Sequence, residues 1–254
     1  MTFSIAARCP HTGMLGVATA SKALSAGRWV PYCRAGVGAI ASQSFVNPYL
    51  GIDGLALLEQ GLTAERALER LVEGDPGREI RQLAVVDKDG RAAAYTGGLC
   101  IPWAGHVTGG GYVCLGNILA GEEVVKSMAR AFETSADQEL PERLLRALEA
   151  GQEAGGDRRG RQAAGIQVVA TEEYPYCDLR VDDHPDPVAE LRRVFEVFQR
   201  EEVPFLPMTP RRDDPVPHWE AVLRVRGELE SSLQEEAGLP GPSVGRPVGP
   251  GRQE

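Results

Sequence analysis

Helices in this chain arrive two at a time between sets of strands, and few architectures accommodate that order. The elements are read from periodicity and turn chemistry. Thr2 to Cys9 alternates, with Phe3, Ile5, Ala7 and Cys9 on one face and Thr2, Ser4, Ala6 and Arg8 on the other. Pro10-His-Thr-Gly13 supplies a turn and Met14 to Lys22 a second strand of small residues, so the chain opens with a hairpin. Val30 to Ala35 and Val37 to Phe45 are two further strands broken at Gly36. Two short helices follow, Ile52 to Gln60 and, behind a Thr63 cap, Ala64 to Val72. Gln82 to Val86 and Arg91 to Tyr95 flank the hairpin signal Asp87-Lys-Asp-Gly90, Gly97 to Gly111 reads as loop, and Tyr112 to Leu115 is a strand. A second helix pair, Glu122 to Phe132 and Pro141 to Ala150, precedes strands Ala164 to Ala170 and Cys177 to Val181 and an amphipathic helix from Asp186-Pro187 to Gln199. Adjacent hairpins imply antiparallel sheets, and paired helices argue against the single crossovers of a parallel sheet. The predicted fold is α+β, a four-layer αββα sandwich of two antiparallel sheets, each covered by a helix pair.

At 254 residues, with 43% hydrophobic and 25% charged residues, the chain suits one large domain and an appendage. The predicted domain is 2–199, followed by an extension over 200–238 with one helix around Trp219 to Glu236. The Gly/Pro-rich text over 239–254 buries too little apolar surface to order itself and is expected to be disordered. No stretch approaches the ~18 uninterrupted apolar residues of a membrane helix, so no membrane partner is expected. The start MTFSIAARCP has no basic segment followed by an apolar run and cleavage site, which makes the expected location cytoplasmic. A net charge of -9 argues against a nucleic-acid partner. The five cysteines form no C-x-x-C and read as buried thiols rather than a disulfide scaffold.

The chemistry starts at residue 2. Methionine aminopeptidases remove the initiator when the next residue is small, so the mature chain is expected to begin at Thr2. A free N-terminal Thr is a self-contained nucleophile, because its hydroxyl attacks an acyl carbon while its own α-amine takes the proton. If the first hairpin loop is His11-Thr12-Gly13, Lys22 lies opposite Thr2, where its ammonium would depress the α-amine pKa and favour a neutral base. A slip of one residue puts Ser21 there and turns Lys22 away. Ser42-Gln43-Ser44, small polar residues on the fourth strand, are candidates to line a substrate cleft.

Three other segments carry competing readings. Gly109 to Gly116 contains G-x-x-x-x-G, but Asn117-Ile118 stands where a phosphate loop needs Lys and then Ser or Thr, so no nucleotide cofactor is expected. Gly116-Asn117 could instead offer backbone N–H groups and an amide to an oxyanion, or simply form a tight turn. Arg158, Arg159 and Arg161 could hold a substrate carboxylate, or be a solvated surface or an intersubunit salt bridge. The acids and His184 of Asp178 to Asp186 have ligand chemistry, but helix capping by Asp186 explains much of the cluster, and no metal is expected. His106, a lone imidazole near Trp103, reads as structural.

The segments MTFSIAAR, GVATASK, RAGVGAIASQSFVNP, DPGREIRQLAVVD, CIPWAGHVTGGGYVCLGNILAG, ALEAGQEAGGDRRGRQAAGIQVV and DLRVDDHPDPVAELRRVF resemble the family named domain of unknown function 1028, over roughly residues 2 to 199. The resemblance implies a fold similar to that of the N-terminal nucleophile (Ntn) hydrolases, the αββα sandwich also found in proteasome β subunits. It implies the same oxyanion role at Gly116-Asn117, and no defined activity. The leading expectation is an Ntn amidohydrolase in which Thr2 attacks a small amide or acyl substrate, with a carboxylate on the substrate as an option, while Asn117 steadies the oxyanion. The alternative is a non-catalytic protein that keeps the sandwich and binds an anion at Arg158 to Arg161. A homodimer is expected by fold analogy alone.

Overall fold

The structure is a computed structural model describing residues 2–216 and 218–237. The chain divides into two compact units, Met1–Glu201 and Glu202–Glu254. In the first, a hairpin of β1 (Thr2–Arg8) and β2 (Leu15–Ser21) leads through a short helix α1 (Ala26–Trp29) to β3 (Pro31–Arg34) and β4 (Gly38–Ser44). Helices α2 (Pro48–Glu59) and α3 (Ala64–Gly74) follow, then strands β5 (Arg81–Asp87), β6 (Ala92–Thr96), β7 (Gly105–Gly109) and β8 (Tyr112–Asn117). Helices α4 (Glu123–Thr134) and α5 (Leu140–Glu153), strands β9 (Ala163–Val169) and β10 (Cys177–Val181), and helix α6 (Pro187–Glu201) complete the unit. The second unit holds the 3-10 segment Val203–Met208 and helix α7 (Trp219–Ala237). The tail over 239–254, expected to be disordered, lies outside the described residues.

The strands form a six-stranded sheet, β10-β9-β2-β1-β8-β7, and a four-stranded sheet, β3-β4-β5-β6. All pairings are antiparallel. Between the sheets, Ala6, Val17, Val113 and Leu115 of the larger meet Ala39, Ala41, Ala84 and Val86 of the smaller. On the outer face of the smaller sheet, Ile40, Leu83 and Val85 pack with Leu55, Leu58 and Leu71 of α2 and α3. Helices α4 and α5 cover the other sheet. The four-layer αββα sandwich of two antiparallel sheets expected from the element order is the fold observed.

Local differences have local causes. Helix α2 begins at Pro48, four residues before the expected Ile52. Asn47 caps it by accepting from the Tyr49 amide at 3.1 Å, and Pro48 supplies a preset first-turn φ. Gly51 is required inside this helix, because a Cβ there would meet the Tyr32 ring at 2.2 Å. The expected loop over Gly97 to Gly111 contains edge strand β7, short and glycine-flanked, whose ladder to β8 the sequence pattern alone does not reveal.

The first hairpin corrects the expected register. Thr2 lies opposite Ser21, not Lys22. Cys9 N–H donates to the Met14 carbonyl and Gly13 N–H to the Cys9 carbonyl, enclosing a four-residue loop from Pro10 to Gly13. Pairing Lys22 with Thr2 would have required Pro10 opposite Met14, and Pro10 has no N–H to give the ladder. Gly13 takes the left-handed φ of +75° that closes the turn.

Candidate active site

Strand β1 is interior to the larger sheet, so Thr2 is flanked on both sides, by Ser21 on β2 and Asn117 on β8. The Thr2 hydroxyl donates to Ser21 Oγ at 3.1 Å. Both residues line a cleft of about 340 Å3 together with Ser44. Its remaining walls are largely apolar, formed by Leu24, Ala26, Trp29, Val30, Val46 and Pro48.

Behind the cleft, the space between the sheets is polar. Ser4, Thr19, Gln43, Gln82 and Asn117 are all buried and joined in one network. Ser4 Oγ lies 2.6 Å from Gln43 Oε1 and 2.8 Å from Thr19 Oγ1. Gln43 Nε2 donates to the Thr2 carbonyl at 3.2 Å and to Gln82 Oε1 at 2.8 Å. Gln82 Oε1 also accepts from Asn117 Nδ2 at 2.9 Å. Gln82 Nε2 faces the Gly105 and Gly116 carbonyls and Thr96 Oγ1. Backbone carbonyls only accept, so they orient Gln82, and Gln82 in turn orients Asn117. Asn117 Oδ1 is then left buried without a partner. A buried acceptor left unsatisfied costs roughly 1–3 kcal/mol.

The network reaches β7. Thr96 Oγ1, already accepting from Gln82, has its proton free for His106 Nδ1, 2.9 Å away. Desolvation lowers the His106 pKa from its ordinary value, in keeping with a neutral imidazole that accepts at Nδ1. His106 is thus a terminal brace of the network.

The backbone around the cleft is strained. Ser25, Ser44 and Ile118 have φ of 54°, 73° and 50°. Such conformations cost of order 1–3 kcal/mol each in non-glycine residues. Ser44 lines the cleft, Ile118 follows Asn117, and Ser25 precedes the helix that contributes Ala26 and Trp29.

The sequence-predicted site residues separate. Thr2 and Asn117 come together, with Asn117 presenting an unpartnered acceptor and a donor already engaged. Lys22 falls beyond the paired residues; its backbone N–H donates to Asp157 Oδ2 at 2.9 Å. Ser42 and Gln43 are buried and do not line the cleft. Ser42 Oγ donates to the Asn47 carbonyl at 3.1 Å, and Gln43 holds the Thr2 backbone from behind. Ser44 alone of the three reaches the cleft. Arg159 is tied to buried Asp157 through its backbone N–H and guanidinium, and Arg161 pairs with Asp186 at 2.9 Å. Arg158 is exposed. No arginine is among the residues lining the cleft with Thr2; Arg158 lies beside the Asn117 turn, its backbone N–H donating to the Ile118 carbonyl at 3.0 Å. The side chains of Asp178 to Asp186 are also dispersed: Asp178 accepts from Gln167, Asp183 from Gln162, and Asp186 pairs with Arg161. Ser21 enters the sequence reading as a site residue only through the one-residue slip, and Gln82 only as the first residue of a predicted strand. Its only sequence signal is a polar residue at an inward position of a strand otherwise built of Leu83, Ala84, Val85 and Val86.

The family described as "Family of unknown function (DUF1028)" matches residues 2–191. The chain belongs to this family. A crystal structure of a DUF1028 protein from Silicibacter pomeroyi is 32% identical, with a TM-score of 0.78 over 85% of this chain and 98% of that one. Anbu (ancestral beta-subunit) from Yersinia bercovieri is 13% identical, with a TM-score of 0.34 over 81% of this chain and 98% of that one. An Anbu (Gly-1) mutant from Hyphomicrobium sp. strain MC1 is also 13% identical, with a TM-score of 0.36 over 79% and 96%. No functionally curated protein matches this DUF1028 chain. Among its described residues, no helix is long and apolar enough to cross a membrane.

Proposed function

We propose that this DUF1028 protein is an N-terminal-nucleophile amidohydrolase acting through Thr2. The observation that carries the reading is the position of Thr2. It is the first residue of an interior strand, its hydroxyl lines a cleft beside Ser21, and a buried polar network holds its carbonyl. Rigid placement of this kind is what a nucleophile requires.

Removal of Met1 leaves an α-amine on the atom that also carries the hydroxyl side chain. Thr2 Oγ1 bonds to the substrate carbonyl carbon as its proton passes to that amine, directly or through water. The ammonium then gives the proton to the departing nitrogen, the C–N bond breaks, and an ester to Thr2 remains. Water, deprotonated by the same amine, cleaves the ester and returns the hydroxyl. Asn117 Oδ1, buried and unpartnered, serves as acceptor for the transient ammonium. The second N–H of its amide is the candidate oxyanion donor. Water can be excluded by the apolar walls of the cleft, which strengthens each of these contacts.

The anion-binding alternative rested on Arg158 to Arg161, two of whose guanidiniums are committed to Asp157 and Asp186. The test is an amide screen with C-terminally tagged mature protein, wild type against Thr2→Ala, with intact mass reporting Met1. Turnover in the wild type alone supports the reading, and equal turnover removes it. The proposed homodimer is checked separately by size-exclusion chromatography with light scattering.

A further inference from the structure

The lining of the Thr2 cleft contains three hydroxyls, from Thr2, Ser21 and Ser44, and no ionisable side chain. Large apolar side chains are also exposed on and next to the lining segments in sequence. Leu24 is 62% exposed, and Phe45 and Tyr49, which bracket the lining residues Val46 and Pro48 in sequence, are 58% and 68% exposed. A concavity whose walls are large apolar side chains, Leu24 and Trp29 among them still exposed, is suited to an apolar ligand. A carboxylate or ammonium seated between such walls would lose its hydration without gaining a partner. The nearby Arg28 guanidinium is absent from the lining and is stacked on the Trp29 ring at 4.5 Å.

We propose, on the reading that Thr2 is the nucleophile, that the cleft is an acyl-specificity pocket for an uncharged apolar group. The substrates are then amides of hydrophobic acids rather than the carboxylate-bearing ones expected from the arginine loop. At about 340 Å3 the cleft is at the small end of ligand sites, the size for one branched aliphatic chain or one aromatic ring. Leu24, Trp29 and Val46 set the preference by contact, and the three hydroxyls place the reacting carbonyl at the Thr2 side.

The test uses anilides with one leaving group and four acyl chains: isovaleryl, phenylacetyl, succinyl and 4-aminobutyryl. Mature C-terminally tagged wild type is assayed for turnover, and wild type and Thr2→Ala for binding by calorimetry. The expected kcat/KM is roughly tenfold or more higher for the two apolar chains than for the two charged ones, as differential burial in an apolar pocket gives. Thr2→Ala should bind in the same order without turnover. Leu24→Asp, at an exposed position where folding tolerates a charge, should weaken apolar binding, and Val46→Lys should shift preference toward succinyl, with circular dichroism checking the fold of both. Thr2-dependent turnover that favours succinyl or 4-aminobutyryl overturns the pocket and leaves the nucleophile standing. Apolar binding that Leu24→Asp weakens, with no turnover by wild type, keeps the pocket and removes the nucleophile. Absence of saturable binding of either apolar anilide to both proteins overturns the pocket.

Discussion

The space between the two sheets has two halves built on the same strands. Away from Thr2 the inward residues are Ala6 on β1, Leu15 and Val17 on β2, Ala39 and Ala41 on β4, Ala84 and Val86 on β5, and Val113 and Leu115 on β8. Continuing along each strand by twos, the same faces become Ser4 and Thr2, Thr19 and Ser21, Gln43, Gln82, and Asn117. Five strands thus change from apolar to polar at one level of the sandwich. The apolar half needs only volume and complementary shape. The polar half needs each donor matched to an acceptor, which fixes orientation more tightly but leaves less net stabilisation per residue. Asn117, whose Oδ1 is the acceptor left over in that half, pairs with Thr2 in the β1–β8 ladder.

Substitutions in each half should therefore fail differently. Thr2→Ala should abolish turnover, on the order of 10³-fold or more by comparison with other acyl-transfer nucleophiles, while the melting temperature stays within about a degree. A coincident loss of stability would mean that Thr2 is a structural member of the polar half. An uncleavable N-terminal extension should mimic the loss, because an amide nitrogen cannot take the proton.

Leu115→Ala, at a fully buried position of the apolar half, should lower stability by about 2–5 kcal/mol. Chemical denaturation measures this, and kcat per folded molecule should be preserved. Gln82→Leu should also destabilise, at about 1–3 kcal/mol for each buried donor or carbonyl it strands, and unlike Leu115→Ala should depress kcat by freeing Asn117 and Gln43. If Gln82→Leu behaves like Leu115→Ala, with kcat intact, the polar half is only a core and the comparison fails.

A control lies outside both halves. Arg192 bridges Glu142 at 2.5 Å and Glu149 at 2.7 Å, joining α5 to α6. Burial alone would raise the Glu142 pKa, but hydrogen bonds from Arg192 and Arg146 outweigh it and hold the carboxyl below its usual value of 4.5. A folded-state pKa that is depressed contributes stability above the unfolded pKa, and the contribution is lost as pH falls through the folded value. Arg192→Ala should therefore destabilise by up to about 1 kcal/mol near neutrality, with the difference from wild type shrinking below pH 4.5. Denaturation at both pH values checks the sign. Activity at neutral pH should be unchanged.

Much of this architecture was legible because its signals are local. Thr63 caps α3 through the Arg66 amide. The Asp87 to Gly90 turn joins β5 to β6, with Asp87 accepting from the Asp89 and Arg91 amides. The candidate site was legible in part. Thr2 needed only its place in the chain and Asn117 its place at a strand end, whereas Gln43 and Gln82 are polar residues in strands that periodicity could assign to a cleft or to the core. The arginines of the 157–161 loop carried two readings in the sequence, because the partners that take up two of their guanidiniums are not both local: Asp157 is a loop neighbour of Arg159, whereas Asp186 lies 25 residues from Arg161.

By itself the sequence determined every strand but β7, the paired helices and hence the layers, since alternation, caps and turn residues act within a few positions of one another. Only the tertiary structure decided that Ser21 rather than Lys22 faces Thr2, through the single N–H that Pro10 lacks. It also decided that Gln82 controls Asn117, 35 residues further along. Hydrogen bonds between two sheets depend on where distant strands meet, and a shift of one residue exchanges every partner.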